Sequence, residues 1–265
     1  MMRMATAFLL MMCFSAGAAL AAVKGEEVQY KAGDTVLKGY LAWDDAVKGK
    51  RPGVLVVHEW WGHNDYARER ARMLAALGYT ALALDMYGDG HQAHHPEEAG
   101  KFSGEVRKNL ALATQRFNAA QNILKKHPTV DVGSIGAIGY CFGGAIVLEM
   151  ARQGEALKGV VSFHGNLTTE HPAQAGKTKA RMLVLTGEAD PFIPAEQIAA
   201  FRKEMDAART DYRVIAYPGA KHSFTSKEAN QHGKKFNLPL AYNAEADQKS
   251  WAEMQAFFKE IFAKK

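Results

Sequence analysis

The fold class this sequence predicts is α/β: a mostly parallel, doubly wound sheet with an antiparallel hairpin at its N-terminal edge. Three observations carry that expectation. From Val28 onward, short apolar runs of strand length alternate with amphipathic stretches of helical period. The strand-like runs are apolar throughout, which marks strands covered on both faces. No Pro/Gly/Ser-rich linker and no internal repeat divides the chain, so residues 22–265 are expected to form a single domain.

Each element has its own signal. Val28–Tyr30 and Thr35–Ala42, parted by the turn Ala32-Gly33-Asp34, read as the hairpin. Buried strands follow at Val54–Val57, Thr80–Leu84, Ile135–Gly139, Gly159–Phe163, Met182–Leu185 and Val214–Tyr217. Helices are expected from Asp65 to Leu77, stopped by Gly78, and along one long stripe of Val106, Leu110, Ala113, Phe117, Ala120 and Leu124. Others should follow Cys141, run from Pro194 to Ala208, and close the chain on Trp251, Met254, Phe258, Ile261 and Phe262.

Composition narrows the function classes. The chain has 265 residues, 48% hydrophobic and 23% charged, which excludes fibrous and disordered classes. Its 33 Lys and Arg outweigh 28 Asp and Glu, but the basic residues are scattered, so no nucleic-acid partner is expected. Residues 1–21 read as a secretory signal peptide: Met1-Met2-Arg3 is positive, Ala5 to Phe14 is apolar, and Ala19-Leu20-Ala21 offers a cleavage site. The competing reading is a retained anchor from Met4 to Val23. Cleavage is favoured, giving an exported, periplasmic or secreted protein with no stable membrane insertion. Cys13 leaves with the leader, so Cys141 remains as a lone thiol in an oxidising compartment.

The strand ends hold the chemistry. Gly139-Tyr140-Cys141-Phe142-Gly143, between a strand and a helix, has the form of a nucleophile elbow with Cys in place of Ser. The tight turn leaves no room for side chains two positions either way, and it sets Cys141 at a helix N-terminus, which favours thiolate. Asp190, just after another strand, is a candidate to orient an imidazole, with Glu188 as rival. His222 follows the last strand, completing the order nucleophile, acid, histidine. At His58-Glu59-Trp60-Trp61-Gly62, the Trp60 N–H can join that of Phe142 as an oxyanion hole, and Glu59 is expected close to the thiol. Trp61, Tyr87 and Phe224 are candidates for the substrate pocket. His91, His94 and His95 match no standard zinc spacing, so no metal is expected.

These motifs together, with Asp85-Met86-Tyr87, Gly187-x-x-Asp190 and Lys221-His222-Ser223-Phe224, resemble the dienelactone hydrolases (carboxymethylenebutenolidases) of the α/β-hydrolase superfamily. The resemblance implies an α/β-hydrolase fold and a cofactor-free hydrolase of small-molecule esters or lactones. It implies Cys141 as nucleophile, His222 as base, Asp190 as orienter, and Glu59 as a carboxylate that contacts the thiol and helps switch it to thiolate. Two positions where the family carries arginines for a substrate carboxylate are Asp89 and Ser226 here. Lys221 or Lys227 would supply only less directional charge. The chemistry is therefore expected to transfer better than the substrate. A monomer is expected. Two other readings of the same residues stay open, a thiol-based redox protein using Cys141 and a non-catalytic binding member of the fold.

Overall fold

The computed structural model describes residues 23–263, so the leader and the cleavage site near Ala21 lie outside the described residues. Eight strands form one sheet: β1 (Val23–Ala32), β2 (Thr35–Asp44), β3 (Arg51–Val57), β4 (Thr80–Leu84), β5 (Val130–Tyr140), β6 (Gly159–Phe163), β7 (Arg181–Gly187) and β8 (Tyr212–Tyr217). They lie in the order β1-β2-β4-β3-β5-β6-β7-β8. β1 pairs with β2, and β2 with β4, antiparallel; every other pair is parallel. This is the α/β-hydrolase arrangement, a mostly parallel sheet carrying an antiparallel N-terminal edge.

Among the described residues there are seven helices: α1 (Asp65–Ala76), α2 (Pro96–Arg107), α3 (Leu110–Lys126), α4 (Phe142–Gln153), α5 (Ala195–Ala208), α6 (Ala229–Phe236) and α7 (Ala244–Phe262). Side chains alternate across the strands, so the apolar runs feed two cores. Leu55 and Val57 of β3 join Phe117, Leu124, Ile146 and Phe201 from α3, α4 and α5. Val54 and Val56 join Ala71, Leu74, Met254 and Phe258 from α1 and α7 on the other face. From β3 the chain goes to β4 on one side, then crosses back to β5 on the other. The C-terminal ends of β3 and β5 therefore flank a switch point, the place where such sheets open a crevice for ligands.

The long helix expected through Val106 and Leu124 is two helices. Lys108 caps α2, and Asn109, at φ −127° and ψ 86°, leaves helical geometry while its side chain accepts the Leu112 N–H at 3.0 Å. Val106 is buried on α2 and Leu110 packs at the start of α3, so the apolar spacing continues across a break that only the N-cap residue marks. The start of α2 carries a second signal, a His95 cap followed by Pro96 at the first helical position. Among the described residues no helix is long and apolar enough to cross a membrane.

Candidate active site

β5 becomes α4 through one residue. Cys141 sits between them at φ 51° and ψ −113°, a conformation that L-residues adopt only when their surroundings impose it. Those surroundings are backbone. A Cβ on Gly139 would overlap the Gly143 carbonyl, and one on Gly143 would overlap the Val57 carbonyl of β3. At Gly144 it would stand 2.7 Å from Ser162 Oγ and 2.8 Å from Gly165 Cα. The glycines thus let β3, β5 and α4 close on one another, and the turn lifts the Cys141 side chain out of the sheet.

Two loops bring the partners. Asp190 follows β7, buried, with Oδ1 accepting the Phe192 N–H at 2.9 Å and Oδ2 lying 2.8 Å from His222 Nδ1. His222 follows β8, and its Nε2 lies 3.1 Å from Cys141 Sγ. Sulfur, imidazole and carboxylate therefore form one hydrogen-bonded chain, while the rival Glu188 is exposed to solvent. Burial opposes a charge on His222, but the Cys141 sulfur and the Asp190 carboxylate outweigh it and push the imidazole pKa up to about 10. Cys141 is half-buried and faces a cavity of about 290 Å³.

Trp60 and Phe142 both line this cavity, and neither backbone N–H has an acceptor among the described residues. Two backbone donors on residues that line the cavity with Cys141 are thus left without an acceptor, the kind of group from which an oxyanion hole is built. Glu59 is placed differently from the expected thiol contact. Its carboxylate is buried and Oε1 accepts the Ser223 hydroxyl at 2.9 Å, next to the base, whereas the sulfur's hydrogen bond is to His222. Burial raises the Glu59 pKa, against the pull of that hydrogen bond and of the His222 and Arg70 charges.

The cavity wall differs from the expected set. Trp61 turns away and stacks among His232 and Phe236, with its ring centroid 4.5 Å from that of His232. Tyr87 is buried behind the wall, donating its hydroxyl to the Trp60 carbonyl at 2.9 Å. Phe224 is sealed in the core on the α1/α7 side, with its ring edge-on to His164. In their place stand Phe192, Ile193, Leu238 and Leu240, with Asn166, Ser103 and Arg107 as the polar groups. One of these had a signal in the sequence. Phe192 is a large apolar side chain in a loop straight after Asp190, and it is 45% exposed. Leu238 and Leu240 flank Pro239 in another loop, which the Ala241 N–H ties to the His222 carbonyl at 3.2 Å.

Asp89, Ser226, Lys221 and Lys227 all lie off the cavity wall, which has Arg107 as its one fixed cation. Arg107 has no ion pair or hydrogen bond among the described residues. The loop histidines serve locally: His91 stacks on Phe102, and His95 Nδ1 accepts the Glu97 N–H at the start of α2. Among the described residues no group of three or more His, Cys, Asp or Glu is placed to hold a metal ion.

A model of the dienelactone hydrolase family matches residues 37–262. A solved structure described as a dienelactone hydrolase-like promiscuous phosphotriesterase from metagenomic libraries is 38% identical, with TM-score 0.84 over 91% of this chain and 99% of its own. A Methylorubrum extorquens protein named carboxymethylenebutenolidase is 28% identical over 244 residues, covering 88% of this chain and 80% of its own. Protein usf of Aquifex pyrophilus is 26% identical over 241 residues, covering 89% and 98%.

The geometry sets the pH behaviour of His222. Followed by NMR, its ring should titrate with a midpoint about 10 rather than 6.5. Because the Cys141 and Asp190 charges are what raise it, Cys141→Ala and Asp190→Asn should each lower the midpoint. A midpoint unmoved by both substitutions would refute the ion-pair description.

Proposed function

This chain belongs to the dienelactone hydrolase family, and from that premise we propose that it cleaves carboxylic ester or lactone bonds through a Cys141-His222-Asp190 triad and a thioester acyl-enzyme. The observation that carries the reading is the continuous chain from Sγ through the imidazole to the Asp190 carboxylate, 3.1 and 2.8 Å, opening onto an apolar cavity.

The steps follow from that chain. The Cys141 thiolate attacks the carbonyl carbon, and the carbonyl oxygen takes up the negative charge between the Trp60 and Phe142 N–H groups. Collapse breaks the C–O bond, and the alkoxide leaves with the proton from His222 Nε2. In a lactone that alkoxide stays tethered to the acyl group. A water molecule then attacks the thioester, giving its proton to Nε2, and the thiolate departs as the acid is released. Asp190 holds the ring in the tautomer that presents Nε2 to both steps. Glu59, through Ser223, fixes the turn that carries the base.

The cavity also speaks to the substrate. Seven of its wall residues carry apolar side chains, and Arg107 lines it with a guanidinium free for a carboxylate on an otherwise apolar acyl or alcohol portion. It takes on, from a different element, a charge that positions 89 and 226 lack. The basic, apolar and small-residue segments of residues 1–21 add the inference that the enzyme works outside the cytoplasm.

Three outcomes test these statements. Cys141→Ala should lower kcat/KM for p-nitrophenyl acetate by about 10⁴-fold or more, and rapid quenching of the native enzyme should trap an acyl adduct on Cys141 by mass spectrometry. Undiminished hydrolysis by the variant would refute the mechanism. Arg107→Ala should raise KM about tenfold for an ester bearing a free carboxylate and leave its methyl ester unchanged; equal effects on both would remove the anion contact. N-terminal sequencing of the protein made in a Gram-negative host should find it in the periplasm starting near Ala22, and a cytoplasmic chain beginning at Met1 would contradict export.

A further inference from the structure

His164 takes no part in the mechanism above, yet it is fully buried directly behind the nucleophile. It is the first residue after β6, and it holds φ 41°, the left-handed region that a β-carbon disfavours. That turn swings the ring beneath the elbow. Nδ1 accepts the Cys141 N–H at 3.1 Å, an N–H shared with the Phe163 carbonyl at 3.0 Å. An Nδ1 that accepts is unprotonated, so the proton of the neutral ring is on Nε2, where it meets Thr225 Oγ1 at 2.8 Å. The Thr225 hydroxyl continues to the Tyr66 hydroxyl at 2.7 Å, and its carbonyl accepts from Arg70 at 2.7 Å. Thr225 is three residues beyond His222 on the same turn. One ring therefore spans the backbone of the nucleophile and the loop of the base.

We infer that His164 is a positioning residue, a two-ended clamp that holds Cys141 Sγ and His222 Nε2 at reacting distance by bonding the Cys141 N–H on one side and Thr225 on the other. The strained elbow needs such a tie, because unfavourable backbone angles persist only where neighbours fix them. The clamp works only while the ring is neutral, since a second ring proton would set a donor against the Cys141 N–H. Its surroundings enforce this: burial, with the charges of His222 and Arg70, keeps His164 well below the ordinary histidine range. The ring meets His222 edge-on at 5.2 Å between centroids, close enough for the imidazolium to be felt. The other groups packed around it, Tyr140 and Phe224, are uncharged.

This inference rests on Cys141 and His222 acting as a pair, and its test separates the two ideas by reading the thiol without substrate as well as with it. Thr225→Val removes the acceptor at one end and keeps the shape; Thr225→Ser restores the hydroxyl. His164→Asn suits the left-handed backbone and keeps an acceptor for the Cys141 N–H, but is too short to reach Thr225. Thr225→Val and His164→Asn should each slow iodoacetamide alkylation of Cys141 at pH 7 about tenfold and lower kcat by a similar factor with KM unchanged. The double variant should be no worse than either single one, and Thr225→Ser should match the native enzyme. Native rates of alkylation and turnover in the two folded single variants, whatever their melting temperature, would overturn the clamp. Loss of alkylation rate in a protein that hydrolyses no ester would uphold the clamp and reject the hydrolase mechanism instead.

Discussion

The catalytic end of the molecule depends on how closely the backbone closes around Cys141. Four chain segments, the ends of β3, β5 and β6 and the first turn of α4, meet where there is no room for a single extra carbon at Gly139, Gly143 or Gly144. Close approach of backbone puts peptide dipoles where side chains would otherwise lie. The free N–H groups of Trp60 and Phe142 are a product of that closeness. So is the positive φ of Cys141, which aims its sulfur outward at a small cost in strain.

Around this fixed point the sheet distributes labour by strand end. The Cys141 sulfur follows β5, the Asp190 carboxylate β7 and the His222 imidazole β8, while Glu59 and the Trp60 N–H follow β3. Burial then sets the charges. Burial disfavours charge on an imidazole and pushes His164 down, whereas the Cys141 sulfur and the Asp190 carboxylate, facing the two nitrogens of His222, push it up. Two histidines with ring centroids 5.2 Å apart are thus shifted in opposite directions by their neighbours.

Much of this was legible in the sequence, for identifiable reasons. The buried strands announce themselves as unbroken apolar runs, and the elbow has glycines that only sterics demand. Cys141, Asp190 and His222 each follow a strand, so their order along the chain foretold their meeting. What escaped was set by contacts distant in sequence. The break at Asn109 hides because Val106 and Leu110 preserve the helical period. Trp61 and Phe224 lie two residues from Glu59 and His222 in sequence, but residues in a turn point apart, and neither ring lines the cavity. Part of its wall comes from Leu238 and Leu240, which the hydrogen bonds from Ala241 to His222 and from Asn243 to Phe224 bring near. His164, one residue past a strand end, shares the placement of Cys141, Asp190 and His222, yet its left-handed backbone leaves no mark in the sequence.

The position of β8 at the margin of the sheet gives the site an uneven footing. Cys141 rests on β5, a central strand flanked by β3 and β6, while His222 hangs from a strand with a neighbour on one side only. Sheet edges open at lower free energy than sheet centres. Fraying of β8 would carry His222 away and leave Cys141 standing in an intact core, a thiol without its imidazole. Thermal inactivation would then begin as a local, reversible event at the rim, well before the helices melt, and the working lifetime of the enzyme would be governed by its last strand.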